Sequence, residues 1–135
     1  RFKYLNGEDH VSIDEIRSEI RRFLEMLIEF RTDFTILSGS CKESPDILAE
    51  EEADKLGIVC EKYPANWKKY KRKAGFIRNH EMVDKCDSVF AFWDYNSSGT
   101  KDAIEYAKSS QGKKYVYVCS LFKKDWDNNE DEETK

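Results

Sequence analysis

The chain of 135 residues has no uninterrupted apolar run longer than a few residues. A membrane-spanning helix needs roughly 20 of them, so a transmembrane segment is excluded and no membrane partner is expected. Histidine is scarce (His10 and His80), and the four cysteines, Cys41, Cys60, Cys86 and Cys119, form no C-x-x-C pair. A structural zinc site is therefore not expected, nor any other metal site. The opening residues, Arg1 to His10, lack the basic and apolar regions of a signal peptide. The cysteines accordingly read as reduced, core-filling thiols of a cytoplasmic protein. Neither G-x-G-x-x-G nor a Walker P-loop occurs, which disfavours the common modes of NAD and ATP binding, and no cofactor is expected.

Against these absences stand 39% hydrophobic and 37% charged residues, enough apolar material for one core under a densely ionic surface. The net charge is 23 − 27 = −4. From Asp125 to Lys135 there are six acids and one Lys, a local −5, so the remainder carries about +1. The acidity thus belongs to one end. Residues 1–122 read as a single domain and 123–135 as an acidic, solvated and disordered tail. A basic cluster, Lys68, Lys69, Lys71, Arg72, Lys73 and Arg78, interrupts the middle. It reads either as solvent decoration or as a site for an anion. The folded part is not basic overall and no aromatics recur at stacking intervals, so nucleic acid is not an expected partner.

Ile13, Ile16, Ile20, Phe23, Leu24, Leu27 and Ile28 recur at helical spacing behind the Ser12/Glu15 capping box, which predicts a helix over 13–30. The run 34–38 (FTILS) reads as a buried parallel strand. Ser44-Pro45 starts a helix that Gly57 stops. Strands are then predicted at 58–63, 88–93 and 115–119, and helices at 75–85 and 100–110. This alternation predicts an α/β fold of Rossmann-like, three-layer type, a mostly parallel sheet flanked by helices. Ligands of such sheets bind beyond the carboxyl ends of the strands, which directs attention to the loops 39–44, 64–74 and 94–99.

In the last of these, Ser97-Ser98-Gly99-Thr100 joins a strand to a helix and can cradle an anion with backbone N–H groups and hydroxyls. The same residues also read as a plain helix cap. Gly39, Ser40, Lys42 and Ser44 form a second, weaker cradle. Asn66, Trp67, Tyr70, Arg78 and Asn79 fall near the same edge, where an aromatic can stack a base and Arg can pair with phosphate. The alternative is that Trp67 packs a loop and Arg78 caps or salt-bridges.

The order PANW (64–67), Tyr70, Ala74-Gly75, Arg78-Asn79, Met82, Asp87, AFW (91–93), SSGT (97–100) and Ile104 resembles the SLOG superfamily of Rossmann-like proteins. The likeness is nearest to its small YspA-like, cpYpsA-related branch and covers roughly residues 33–119. It implies a domain that binds a nucleotide or nucleotide-derived ligand, with sensor-type binding as one outcome. By the same likeness, Arg78 and one acid, Asp102 or Glu105, correspond to the groups that support N-glycosidic cleavage in the LOG phosphoribohydrolases. Three departures accompany it. The family's first strand lacks a counterpart, Gly39 to Asp46 lacks the family's glycines, and Asn96-Ser97-Ser98 stands where LOG proteins have PGG. Three readings follow: a nucleotide-binding module, a nucleoside-monophosphate hydrolase using Arg78 with Asp102 or Glu105, and an interaction protein with a vestigial pocket. The resemblance also implies that a homodimer is an available assembly.

Overall fold

Ser12 fixes the start of the first helix, α1 (Ile13–Phe30): its hydroxyl accepts from the Glu15 N–H at 3.1 Å while the Glu15 carboxylate accepts from the Ser12 N–H at 3.0 Å. The computed structural model describes residues 9–31, 33–109 and 113–126. Ile16, Ile20 and Leu24, four apart and so on one stripe, are the buried positions of α1. Their partners are Leu48 and Ala53 of the second helix, α2 (Pro45–Lys55), together with Val11 and Leu121. Ser44 caps α2 by accepting from the Asp46 N–H, Pro45 occupies its first turn, and Gly57 takes the left-handed φ of +71° just beyond its end.

Between these helices lies Glu52, only 2% exposed. It receives Arg21 Nη1 at 2.9 Å, Arg17 Nη1 at 3.1 Å and Lys55 Nζ at 3.4 Å. Burial alone would raise its pKa, but these three cations outweigh that and hold the carboxyl below its ordinary range.

Two parallel ladders follow. Strand β1 (Ile36–Ser38) pairs with β2 (Cys60–Lys62), Ile36 opposite Cys60. Strand β3 (Ser88–Trp93) pairs with β4 (Tyr115–Ser120), Ser88 opposite Tyr115 and Trp93 opposite Ser120. The fold is therefore mixed α/β with parallel strands. Among the described residues these strands form two small sheets rather than one continuous sheet, because no ladder joins β1 to β3. β1 and β2 are also shorter than the apolar runs that predict them. The remaining helices are α3 (Trp67–Tyr70), α4 (Ala74–Lys85), which follows a 3-10 turn at Lys71–Lys73, and α5 (Ser98–Lys108).

Both sheets share α1. Phe23 stacks on Phe90 of β3 at 4.3 Å, while Ile36, Cys60 and Phe92 all pack against the buried cluster. Burial raises the thiol pKa of Cys60 and Cys86 and pushes Cys119 up to about 12, as suits thiols that fill space.

The folded part runs on past residue 122. Residues 123–126 form a helical turn in which Lys123 N–H donates to Asp9 O at 3.0 Å and Trp126 Nε1 donates to Ser120 O at 2.7 Å. The Ser120 hydroxyl donates to Asp125, and Trp126 packs against the core. The rest of the acidic segment, 127–135, lies outside the described residues, as does the N-terminal stretch 1–8. Among the described residues, no helix is long and apolar enough to cross a membrane.

Candidate functional site

Arg78 and Asn79, adjacent on α4, tie together the carboxyl ends of both sheets. Arg78 Nη1 donates to Gly39 O, just beyond β1, at 2.5 Å, and to Tyr63 O, just beyond β2, at 3.4 Å. Its Nε donates to Asn79 Oδ1 at 2.7 Å. Asn79 Nδ2 donates in turn to Gly99 O in the first turn of α5 at 3.5 Å. A Cβ at residue 39 would stand 2.8 Å from Arg78 Nη1 and 2.9 Å from Cζ, inside contact distance, so any larger residue there must displace the guanidinium. Arg78 Nη2 makes no hydrogen bond among the described residues. It lies 3.9 Å from the point where a Gly75 side chain would begin, and the Trp67 ring tip lies 3.7 Å from that same point. One guanidinium nitrogen and a 57% exposed indole thus both border the Gly75 position.

The loop after β3 presents α5 to this seam. Asp94 Oδ1 accepts the Asn96 and Ser97 N–H groups, each at 2.8 Å, making an Asx turn that Tyr95 completes with a left-handed φ of +63°. Burial alone would raise the Asp94 pKa, but these two N–H donors prevail and keep it below the ordinary range. Ser97 is the cap: its hydroxyl oxygen accepts from the Thr100 N–H at 3.4 Å and the Thr100 hydroxyl at 3.2 Å. Trp93 Nε1 pins the turn through Ser97 O at 3.2 Å. The N–H groups of Ser98 and Gly99 and the Ser98 hydroxyl make no hydrogen bond among the described residues. Two orphan donors at the positive end of an eleven-residue helix can receive an anion.

The loop after β1 is built differently. Ser40, at a left-handed φ of +53°, donates its hydroxyl to Glu50 Oε2 at 2.9 Å, and Ser38 does the same at 2.6 Å. Cys41 N–H donates to Asp46 Oδ2, and the Ser44 hydroxyl donates to Cys41 O. Burial raises the Asp46 pKa, more than the Cys41 N–H and the nearby Arg78 lower it. Of the hydroxyls that the sequence offers to an anion, Ser40's is spent on the Glu50 carboxylate and Ser44's on the Cys41 carbonyl. Lys42 is exposed, and its side chain makes no ion pair among the described residues.

No family model, curated protein or solved structure matches this chain.

Of the residues that the sequence nominates, the structure joins Gly39, Trp67, Arg78, Asn79 and Gly99, with Ser97, Ser98 and Thr100 in the adjoining turn. Asn66 is the cap of α3, accepting from the Lys69 N–H at 3.1 Å. Asp102 bonds His80 Nε2 at 2.7 Å, and that imidazole stacks on Tyr106 at 3.9 Å. Glu105, whose side chain is 67% exposed, faces Lys101 across one helical turn at 3.9 Å. Neither acid bonds Arg78. The sequence reading missed Tyr63, Asp94, Glu50 and His80. Asp94 was findable, since Asp two residues before Asn96 at a strand end is an Asx-turn signal. Tyr63 acts through its carbonyl, which leaves no mark on residue type.

Proposed function

We propose that the chain is a SLOG-like, Rossmann-type domain that binds a nucleotide or nucleotide-derived anion at the carboxyl edge of its strands. In this reading α1 with α2 and α4 with α5 flank the strands from opposite sides. The phosphate sits on the Ser98 and Gly99 N–H groups and the Ser98 hydroxyl, Arg78 Nη2 neutralises it, and Trp67 flanks the base. The observation that carries the reading is Arg78. Two carbonyls hold its Nη1, its Nε is tied to Asn79, and Nη2 is left uncommitted at the Gly75 position that an exposed indole also borders. A guanidinium positioned in advance loses little freedom on binding, which is how such sites gain affinity.

The hydrolase alternative rests on Asp102. With its carboxylate held by His80, that acid is oriented toward α4, and Glu105 is solvated. Binding without turnover is therefore the reading we favour.

The test is a thermal-shift and calorimetric series with AMP, ADP, cyclic nucleotides and ADP-ribose on the wild-type chain and Arg78→Ala, each compared with its own unliganded baseline. At about 100 times Kd, a ligand should stabilise the wild type by roughly 2.7 kcal/mol. Loss of that increment in Arg78→Ala supports the site. Absence of any shift in the wild type contradicts it. Release of free base from AMP that disappears in Asp102→Asn would favour the hydrolase instead.

A further inference from the structure

The run 115–119 is Tyr-Val-Tyr-Val-Cys, without a charge, a proline or a glycine. It lies in β4, which among the described residues pairs along one edge only, with β3. Tyr115 N–H donates to Asp87 O and Leu121 N–H to Trp93 O, so the odd-numbered residues turn their backbone groups toward β3. Val116, Val118 and Ser120 therefore turn theirs outward. The chain itself closes both ends of that outer edge. Trp126 Nε1 occupies Ser120 O at 2.7 Å, and Lys114 spends its N–H on Ala107 O at 2.8 Å. What stays open is the stretch from Val116 to Val118.

Side chains extend the same surface. Tyr115 is 74% exposed and Tyr117 54%, and the Tyr117 ring stands 6.4 Å from that of Phe23 on α1. Met26 and Phe30 follow Phe23 at helical spacing on the same face, and Phe30 is 76% exposed. The other strands differ. On β3, Phe90 lies against Phe23 and Phe92 packs on the buried cluster. β2 is three residues long, and two of them, Glu61 and Lys62, are exposed charges, the ordinary way to blunt an edge. A bare edge of aromatic and β-branched residues instead recruits another strand. Phe30, Tyr115 and Tyr117 together offer on the order of 400 Å² per chain, about half of what each partner gives to a standard interface.

The open stretch also shows which strand fits it. It is symmetric about Tyr117, so an antiparallel second copy related by a two-fold axis there sets Val116 opposite Val118, and each such pair exchanges both of its N–H···O bonds. Tyr117 then falls opposite its own counterpart and Tyr115 opposite Cys119, with no charge in the centre. The helices leave room. Phe23 on Phe90 places α1 over β3, and the two β3 strands would stand three strand spacings, about 14 Å, apart, beyond the roughly 8–10 Å at which helix axes pack.

We propose that β4 is the interface of a two-fold dimer, in which two copies of the chain join their outer edges antiparallel about Tyr117 and continue one sheet across both. This inference rests on the fold alone and is independent of the nucleotide-binding reading.

The test is sedimentation of the full chain with opposite charges placed on the axis. With a Kd in the micromolar range, the wild type should sediment as a dimer at about 100 µM. Tyr117→Lys and Tyr117→Glu each set a like charge against itself and should weaken association at least about tenfold. Mixed in equal amounts they set Lys against Glu, and native mass spectrometry should find a dimer that contains one of each. Val118→Pro deletes an outward N–H and no bond to β3, so it should also yield a monomer, and circular dichroism checks that every variant is folded. A wild type that is a monomer at about 100 µM overturns the proposal; if its Val116 and Val118 amides are then protected from hydrogen exchange, another part of the chain covers the edge. A dimer that all three folded variants leave intact overturns the interface, and folded Lys and Glu variants that do not associate when mixed overturn the axis at Tyr117.

Discussion

The loops after β1 and β3 occupy equivalent places, each carrying a strand into a helix through a short hydroxyl-rich turn that uses positive φ, at Ser40 and Glu43 in one and at Tyr95 in the other. Their chemistry differs because of where the acids stand. After β1, Glu50 and Asp46 lie on the following helix and absorb the donors of Ser38, Ser40 and Cys41. After β3, the acid is Asp94, ahead of the turn, so it consumes the N–H groups of Asn96 and Ser97 and leaves those of Ser98 and Gly99 open. Hydroxyl content alone does not make an anion site. The position of the nearest carboxylate decides whether the donors are available.

The largest effect that can test this difference is Arg78→Ala, which removes the cation at the seam and the donor to two carbonyls. Losing a charge-assisted contact should weaken ligand binding by at least tenfold, and the orphaned Gly39 and Tyr63 carbonyls should cost about 1–2 kcal/mol of stability. Calorimetry and denaturant melts read the two separately. Arg78→Lys should fail to restore either, because an ammonium cannot reproduce the forked geometry.

Next is Gly39→Ala. The new Cβ must push the guanidinium away, at a cost of about 1–3 kcal/mol, and affinity should fall with it. Gly75→Ala is the control: a Cβ there meets Trp67 at 3.7 Å, an ordinary contact. That helix should gain up to about 1 kcal/mol. A Gly39→Ala chain as stable as the wild type would show that Arg78 is not pinned as described.

The acids differ in sign. The lowered pKa of Asp94 contributes stability that is present above its unfolded value and lost as pH falls through the folded one, so Asp94→Asn should destabilise at neutral pH. The raised pKa of Asp46 does the reverse: its contribution is present below the unfolded value and lost as pH rises through the folded one. Asp46→Asn should therefore hold or increase stability at pH 7. Denaturant melts from pH 3 to 7 check both, and the same sign for both variants at neutral pH would refute the contrast.

The smallest effect belongs to Ser98→Ala, which keeps the N–H groups and removes one hydroxyl. Affinity should drop only about two- to fourfold, with stability within about 0.5 kcal/mol of wild type.

Much of the local structure was legible because caps and periodicity are local signals. The Ser12/Glu15 box, the Ser44-Pro45 start, the Gly57 stop and the run 88–93 all lie where the residues put them. The stretch 64–74 reads as a loop because of its lysines, yet it contains α3 and a 3-10 turn, held by the Asn66 cap. The pairing of strands into two sheets was not legible, since apolar runs specify burial and not neighbours. At the site, Arg78, Asn79 and Gly99 were recognisable by type, and their convergence emerged only with the fold. Ser40 misled for the same reason: its hydroxyl looked free until Glu50, ten residues on, was folded against it.

The most direct measurement is an amide chemical-shift titration of the full chain with ADP. The account predicts that the N–H signals of Ser98 and Gly99 move together, saturably, with the Arg78 side-chain signal, while those of Ser40 and Cys41 stay in place. Shifts centred on Ser40 and Cys41, or none at any of these positions at millimolar ADP, would contradict it.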